Sequence, residues 1–214
     1  MRNFIAAAAS AVVFIAAAAQ AATFTLTSAT VGTLTDDSGE VINIIAAAST
    51  ERNDQFTLVN GIRSFGSYGI GIQRAGERGS PNHAIDGIGP DEAIIFQAQK
   101  ASDGSLVAVN WQSIVFGWRY SSRSDFSLWT SLGGYGSLSR ILDEQAITVN
   151  TPQSLGVVAA TIAIQADDKK DAFKLKKLTV DTLPSITNPV PVPGALPLML
   201  AGIAGFTALR RRKA

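Results

Sequence analysis

The chain has 214 residues, no cysteine and one histidine, with 18 basic against 17 acidic residues. Without cysteine there is no disulfide, thiol nucleophile or Cys-based zinc site, and a lone histidine removes any multi-histidine zinc site. Arg2, Arg210, Arg211, Arg212 and Lys213 sit at the two ends, so the body between them holds 13 basic against 17 acidic residues, a net charge of −4 that lacks the basic footprint of a nucleic-acid binder.

At the N-terminus, Arg2 precedes an uncharged apolar run over 4–19, the pattern of an export signal helix. Ala19-Gln20-Ala21 places small residues where signal peptidase needs them, so residues 1–21 are expected to be removed by cleavage after Ala21. A retained anchor or a buried Ala-rich helix fits less well, because the polar, alternating segment Thr23-Phe24-Thr25-Leu26-Thr27 follows at once.

Residues 22–183 form the body, about one ordinary domain. Its main signal is alternation with period two, broken by clusters of Gly, Asn, Asp and Ser, which is strand chemistry. The pattern predicts strands over 23–28, 41–47, 55–59, 68–73, 93–98, 106–109, 113–118, 125–130, 146–150, 157–165 and 172–180. Many short strands without long helical periods predict an all-β fold, an antiparallel β-sandwich or jelly-roll-like ectodomain, rather than a βαβ unit. In the last strand Phe173, Leu175 and Leu178 alternate with lysines, and Lys176-Lys177 breaks the phase as a bulge would. Lys169, Lys170, Lys174, Lys176 and Lys177 are interleaved with Asp167, Asp168 and Asp171, which suits a solvated strand edge. The glycines of Tyr68-Gly69-Ile70-Gly71-Ile72 are no phosphate loop, since no helix pattern follows them.

The densest polar constellation is His83, Asp86, Asp91 and Glu92, on a Gly-rich loop before an apolar strand. Asp86, Asp91 and Glu92, with Asp171 approaching the same edge, are candidate oxygen ligands for Ca²⁺. Asp86 and Asp91 also suit turn caps beside Gly87 and Gly89. No Gly-x-Ser-x-Gly elbow singles out a serine, and Asp91 and Glu92, adjacent in a strand, point to opposite faces, so no catalytic residues and no enzymatic activity are expected. Aromatic residues gather between Trp111 and Tyr135. Trp118 shares parity with Ile114 and Phe116, which turns it inward, whereas Trp129 is out of phase with Phe126 and Leu128. Arg119, Tyr120 and Trp129 are therefore the candidate exposed contacts, suited to stacking on sugar faces.

Beyond a Pro-rich linker over 184–194, residues 195–209 read ALPLMLAGIAGFTAL, apolar and uncharged, and end at Arg210, Arg211, Arg212 and Lys213. An apolar run stopped by a basic cluster is a membrane segment with a cytoplasmic end, here residues 210–214. As a helix it reaches about 22 Å, short of the hydrocarbon core of about 30 Å. The order Val190-Pro191-Val192-Pro193-Gly194, short transmembrane helix, basic terminus resembles the PEP-CTERM sorting signals, most closely the VPLPA type. It departs from the commonest motif at Val192, where glutamate is usual, and from its own type at Gly194, where alanine is usual. The resemblance implies export by the Sec translocon of a Gram-negative bacterium, transient residence in the inner membrane, and processing by an exosortase. Val190 to Gly194 would be its recognition element and Arg210 to Lys213 the cytoplasmic stop.

Four stretches of the body are also similar to ectodomains found ahead of such signals: 68–72, 83–96, 113–118 and 171–175. The resemblance implies a surface or matrix protein, structural in role and associated with exopolysaccharide or biofilm. The alternative is a carbohydrate-binding module, calcium-stabilised, that holds exopolysaccharide through its aromatic patch.

Overall fold

The computed structural model describes residues 21–26, 33–35, 40–49, 55–59, 61–73 and 83–181. The expected signal up to residue 20, with Ala19, the motif Val190 to Gly194, the apolar segment 195–209 and the basic end Arg210 to Lys213 lie outside the described residues. Ala21, the last residue of the expected signal, belongs to the first strand and pairs with Asp181. Among the described residues no helix is long and apolar enough to cross a membrane.

Fourteen strands form among the described residues. They are β1 (Ala21–Thr25), β2 (Thr33–Thr35), β3 (Glu40–Ser49), β4 (Phe56–Leu58), β5 (Ile62–Ser64), β6 (Ile70–Ile72), β7 (Ile85–Asp86), β8 (Glu92–Lys100), β9 (Val109–Arg119), β10 (Asp125–Ser131), β11 (Ser139–Ala146), β12 (Pro152–Ala159), β13 (Thr161–Ala166) and β14 (Ala172–Asp181). The first sheet runs β12-β9-β14-β6-β5, with β1 and β7 also paired to β14. The second runs β11-β10-β13-β8-β3-β2, with β4 on β3. Every strand pair is antiparallel. The all-β, sandwich-like expectation is met.

The two sheets share one core. Trp111, Ile114 and Phe116 of β9 and Phe173, Leu175 and Leu178 of β14 meet Phe96, Phe126, Leu128 and Ile164 of the second sheet. Alternating side chains produce this face because successive residues of a strand point to opposite sides. Phe116 lies 5.0 Å from Phe126 and 5.2 Å from Phe173, so aromatic contacts tie the sheets at the centre. In β8 the apolar run is unbroken because both faces are covered: Ile94, Phe96 and Ala98 face the core. Ala93 and Ile95 join a smaller cluster with Trp129 and Ala163.

Several strands differ from the expected pattern. The segment expected as one strand over 157–165 is two, β12 in the first sheet and β13 in the second, with the chain crossing between sheets at Ala160. Ala159 and Ala160 are each 1% exposed, so the apolar pattern runs through the crossing and periodicity carries no sign of it. The expected strand 113–118 lies wholly in β9, whereas of 106–109 only Val109 joins that strand and Leu106 makes an isolated bridge to Gln99. The strand expected over 146–150 ends at Ala146, where β11 stops, and β11 was not expected because nearly all its side chains face water. The short strands β2, β5 and β7 also carry too few residues to display a period.

Candidate functional site

The outer face of the first sheet is shaped by irregularities in the β9–β14 ladder. Leu175 pairs with Phe116 and Lys174 with Trp118, which leaves Gly117 as an extra residue on β9. Trp118 therefore leaves the phase of Ile114 and Phe116 and stands opposite Lys174, on the face away from the core. A second shift leaves Lys176 as an extra residue between Leu175 and Lys177, the bulge that its sequence phase predicts.

The 3₁₀ turn Gly66–Tyr68 lies directly on this face. A Cβ on Gly117 would stand 2.2 Å from the Tyr68 carbonyl oxygen, and one on Gly69 2.0 Å from that of Leu175. Gly69 also holds φ at 96°, a conformation that side chains strain. The turn thus brings Phe65 and Tyr68 beside Trp118, and their rings enclose the Lys174 ammonium. Its Nζ lies 4.2 Å from the Phe65 ring centre, 5.1 Å from that of Trp118 and 5.9 Å from that of Tyr68. Such cation–π contacts are attractive, most of all where water is thinned. Burial pushes the pKa of Lys174 down. His83 stacks on Phe65 at 5.8 Å, and Tyr120 stands 6.4 Å from Trp118. Tyr68 is 52% and Tyr120 57% exposed, so the cluster presents rings to solvent.

Away from the aromatic end, the same face is polar. Ser113 of β9 is opposite Ser154 of β12 and Thr179 of β14, and the Thr23 and Thr179 hydroxyls lie 3.2 Å apart. Asn110 and Gln112 donate to Asp181. An open groove of about 330 Å³ is lined by Asn110, Gln112, Ser113, Pro152, Ser154 and Gly156.

A different chemistry stands where β10 begins and β14 begins. One carboxylate oxygen each from Asp125, Asp167 and Asp171 lie within 4.8 Å of one another. Asp171 is 1% exposed and accepts hydrogen bonds from the amides of Asp125 (3.0 Å) and Asp168 (3.1 Å). Its pKa is pushed up to about 7, by burial first and then by the Asp125 and Asp167 charges, against the two amide bonds. Burial raises the pKa of Asp125 too, with Asp167, Glu144 and Asp168 adding to it. Asp167 accepts from Ser127 Oγ and from Arg140, which also pairs with Asp143 at 2.7 Å. The oxygen-only donor set suits a hard cation such as Ca²⁺. A proton shared by Asp125 and Asp171, with Arg140 beside Asp167, meets the same charge without one.

The expected metal residues Asp86, Asp91, Glu92 and Asp171 do not form one ligand set at that spacing among the described residues. Backbone links the Asp86 segment to Asp171: β7 pairs with β14, and Gly87 N donates to the Asp171 carbonyl at 3.2 Å. Asp86 Oδ1 caps its own turn at Ile88 N, and Glu92 Oε2 accepts from Asp86 N. Asp171 turns toward β10 instead.

The aromatic expectation needs two corrections. Trp129 is not an exposed contact: it is 3% exposed, edge-on to Phe56 at 5.3 Å, with Nε1 donating to Gln165 Oε1 and Arg140 over its ring. Its phase does place it on the outer face of the second sheet, but that face is covered there by Phe56 and Leu138. Trp118, expected inside, is on the outer face because of the bulge at Gly117. Tyr120 is exposed as expected, while the Arg119 guanidinium is engaged by the Ile147 carbonyl. Sequence reasoning missed Phe65, Tyr68 and Lys174, which gather around Trp118. A glycine between Phe116 and Trp118 was the one available cue. It likewise missed Asp125, whose amide meets the Asp171 carboxylate across 46 residues of chain.

No family model matches the chain, and no curated protein or solved structure matches it.

Proposed function

We propose that this chain is an exported, non-enzymatic surface or matrix protein, sorted by an exosortase-type system, whose jelly-roll-like body associates with exopolysaccharide. Export and sorting rest on the apolar N-terminal run, the Pro-x-Pro element and the short apolar segment closed by Arg210 to Lys213. The association with polysaccharide rests on one observation: Trp118, Tyr120, Tyr68 and Phe65 gather at one end of a sheet face that also carries the Ser113, Ser154, Thr23 and Thr179 hydroxyls. Aromatic rings with polar edges stack on the apolar faces of sugar rings, and serine, threonine and asparagine side chains exchange hydrogen bonds with sugar hydroxyls.

Two measurements test the reading. Deleting residues 190–214 discharges the body from the membrane fraction, and unchanged fractionation removes the anchor. The full chain binds immobilised polysaccharide, and Tyr68→Ala with Tyr120→Ala weakens that binding while thermal unfolding is preserved. Absence of binding to any glycan leaves only the structural role.

A further inference from the structure

A lysine, Lys174, stands at the centre of the aromatic cluster. Lys174 is 8% exposed, and an ammonium carries three N–H donors. Among the described residues its partners are the faces of Phe65, Trp118 and Tyr68, and no carboxylate or carbonyl accepts from it. Ring faces attract the charge but do not replace three hydrogen-bond acceptors. A partly desolvated cation held beside exposed rings gains most from an anionic oxygen brought by a ligand, since charge-assisted hydrogen bonds are about twice as strong as neutral ones. Farther along the same face of β14, Lys177 is exposed opposite Val115.

We propose that this end of the sheet is a subsite for an acidic sugar: a uronate ring stacks on the exposed Tyr120 and Tyr68 rings while its carboxylate accepts hydrogen bonds from Lys174. The inference rests on the polysaccharide-binding reading and names the class of sugar. A neutral sugar supplies only hydroxyls to the ammonium and brings no opposite charge to it. A nucleic-acid backbone meets the rings equally well, but it is held by arrays of cations releasing counterions, and this body is net acidic. A uronate polymer carries one charge per ring, and this face offers it the cations Lys174 and Lys177.

The test compares oligogalacturonate with the same oligosaccharide after reduction of its carboxyl groups to alcohols, titrated calorimetrically into the full chain. The acidic form binds about tenfold more tightly, and Lys174→Met removes that preference while keeping the affinity for the neutral form. Reductive methylation, which keeps the charge on lysine, gives an independent readout: the Lys174 methyl resonance shifts with the acidic oligosaccharide and not with the reduced one. Tyr120→Ala weakens both ligands alike. Equal affinity for the two oligosaccharides, or an unmoved Lys174 resonance, overturns the acidic subsite and leaves polysaccharide binding standing. Failure of both ligands to bind overturns the two together. Tighter binding of single-stranded DNA or dextran sulfate than of oligogalacturonate also overturns it, since the site would then select charge density rather than a uronate.

Discussion

Stability of this fold should fall as pH rises through neutrality, and the Asp125–Asp171 pair is the reason. Asp171 ionises near 3.8 in the unfolded chain and at about 7 in the folded one, chiefly because burial penalises its charged form. Between those values the folded state binds one more proton, so the group's contribution is complete below the lower value and is lost as pH climbs through the upper one. One proton sets a slope of at most about 1.4 kcal/mol per pH unit. Asp125 is shifted in the same direction and acts with the same sign. The decisive variant is Asp125→Asn. It removes the like charge nearest Asp171 and supplies an amide that donates to the Asp171 carboxylate, so Asp171 ionises at lower pH. At about pH 8 the variant should exceed the wild type by on the order of 1 kcal/mol, and at about pH 5 the two should coincide. Urea unfolding of the full chain between those values measures both slopes. A wild-type stability that is flat or rises with pH, or an Asp125→Asn slope equal to that of the wild type, refutes the shared-proton account.

Three further outcomes follow from particular contacts. Trp129→Ala should cost about 3–5 kcal/mol of stability, read by denaturant midpoint, without changing glycan selectivity in the fraction that remains folded, because the ring is packed against Phe56 and not presented to solvent. Gly117→Ala should destabilise by about 1–3 kcal/mol and free the Gly66–Tyr68 turn, since the new methyl meets the Tyr68 carbonyl at 2.2 Å; amide exchange at Tyr68 and Gly69 reports the release. Arg140→Met leaves Asp167 and Asp143 without their cation, so the apparent ionisation of the Asp125–Asp171 pair, followed by carboxyl NMR shifts, should move further upward.

The relation between sequence and structure differs from element to element. β14 was legible because its core-facing Phe173, Leu175 and Leu178 alternate with lysines, which writes a period of two into the residues. The edge strand β11 was not, because a strand wet on both faces selects for no alternation. Trp118 and Trp129 show the same limit within a strand. Parity correctly assigned Trp129 to the outer face of its sheet, yet exposure depended on whether Phe56 and Leu138 cover that face. Parity failed for Trp118 because one unpaired residue at Gly117 inverts everything beyond it.

Composition and periodicity by themselves determined the all-β class, the absence of thiol and multi-histidine chemistry, and the apolar ends that frame the body. Only the tertiary structure decided which polar and aromatic groups meet: Lys174 with Phe65, Tyr68 and Trp118, and Asp171 with Asp125 and Asp167. The physical reason is that a strand's local pattern records whether each face is buried, while its neighbours are set by register, bulges and sheet order. Those come from pairings between residues far apart in the chain, and no local spacing encodes them.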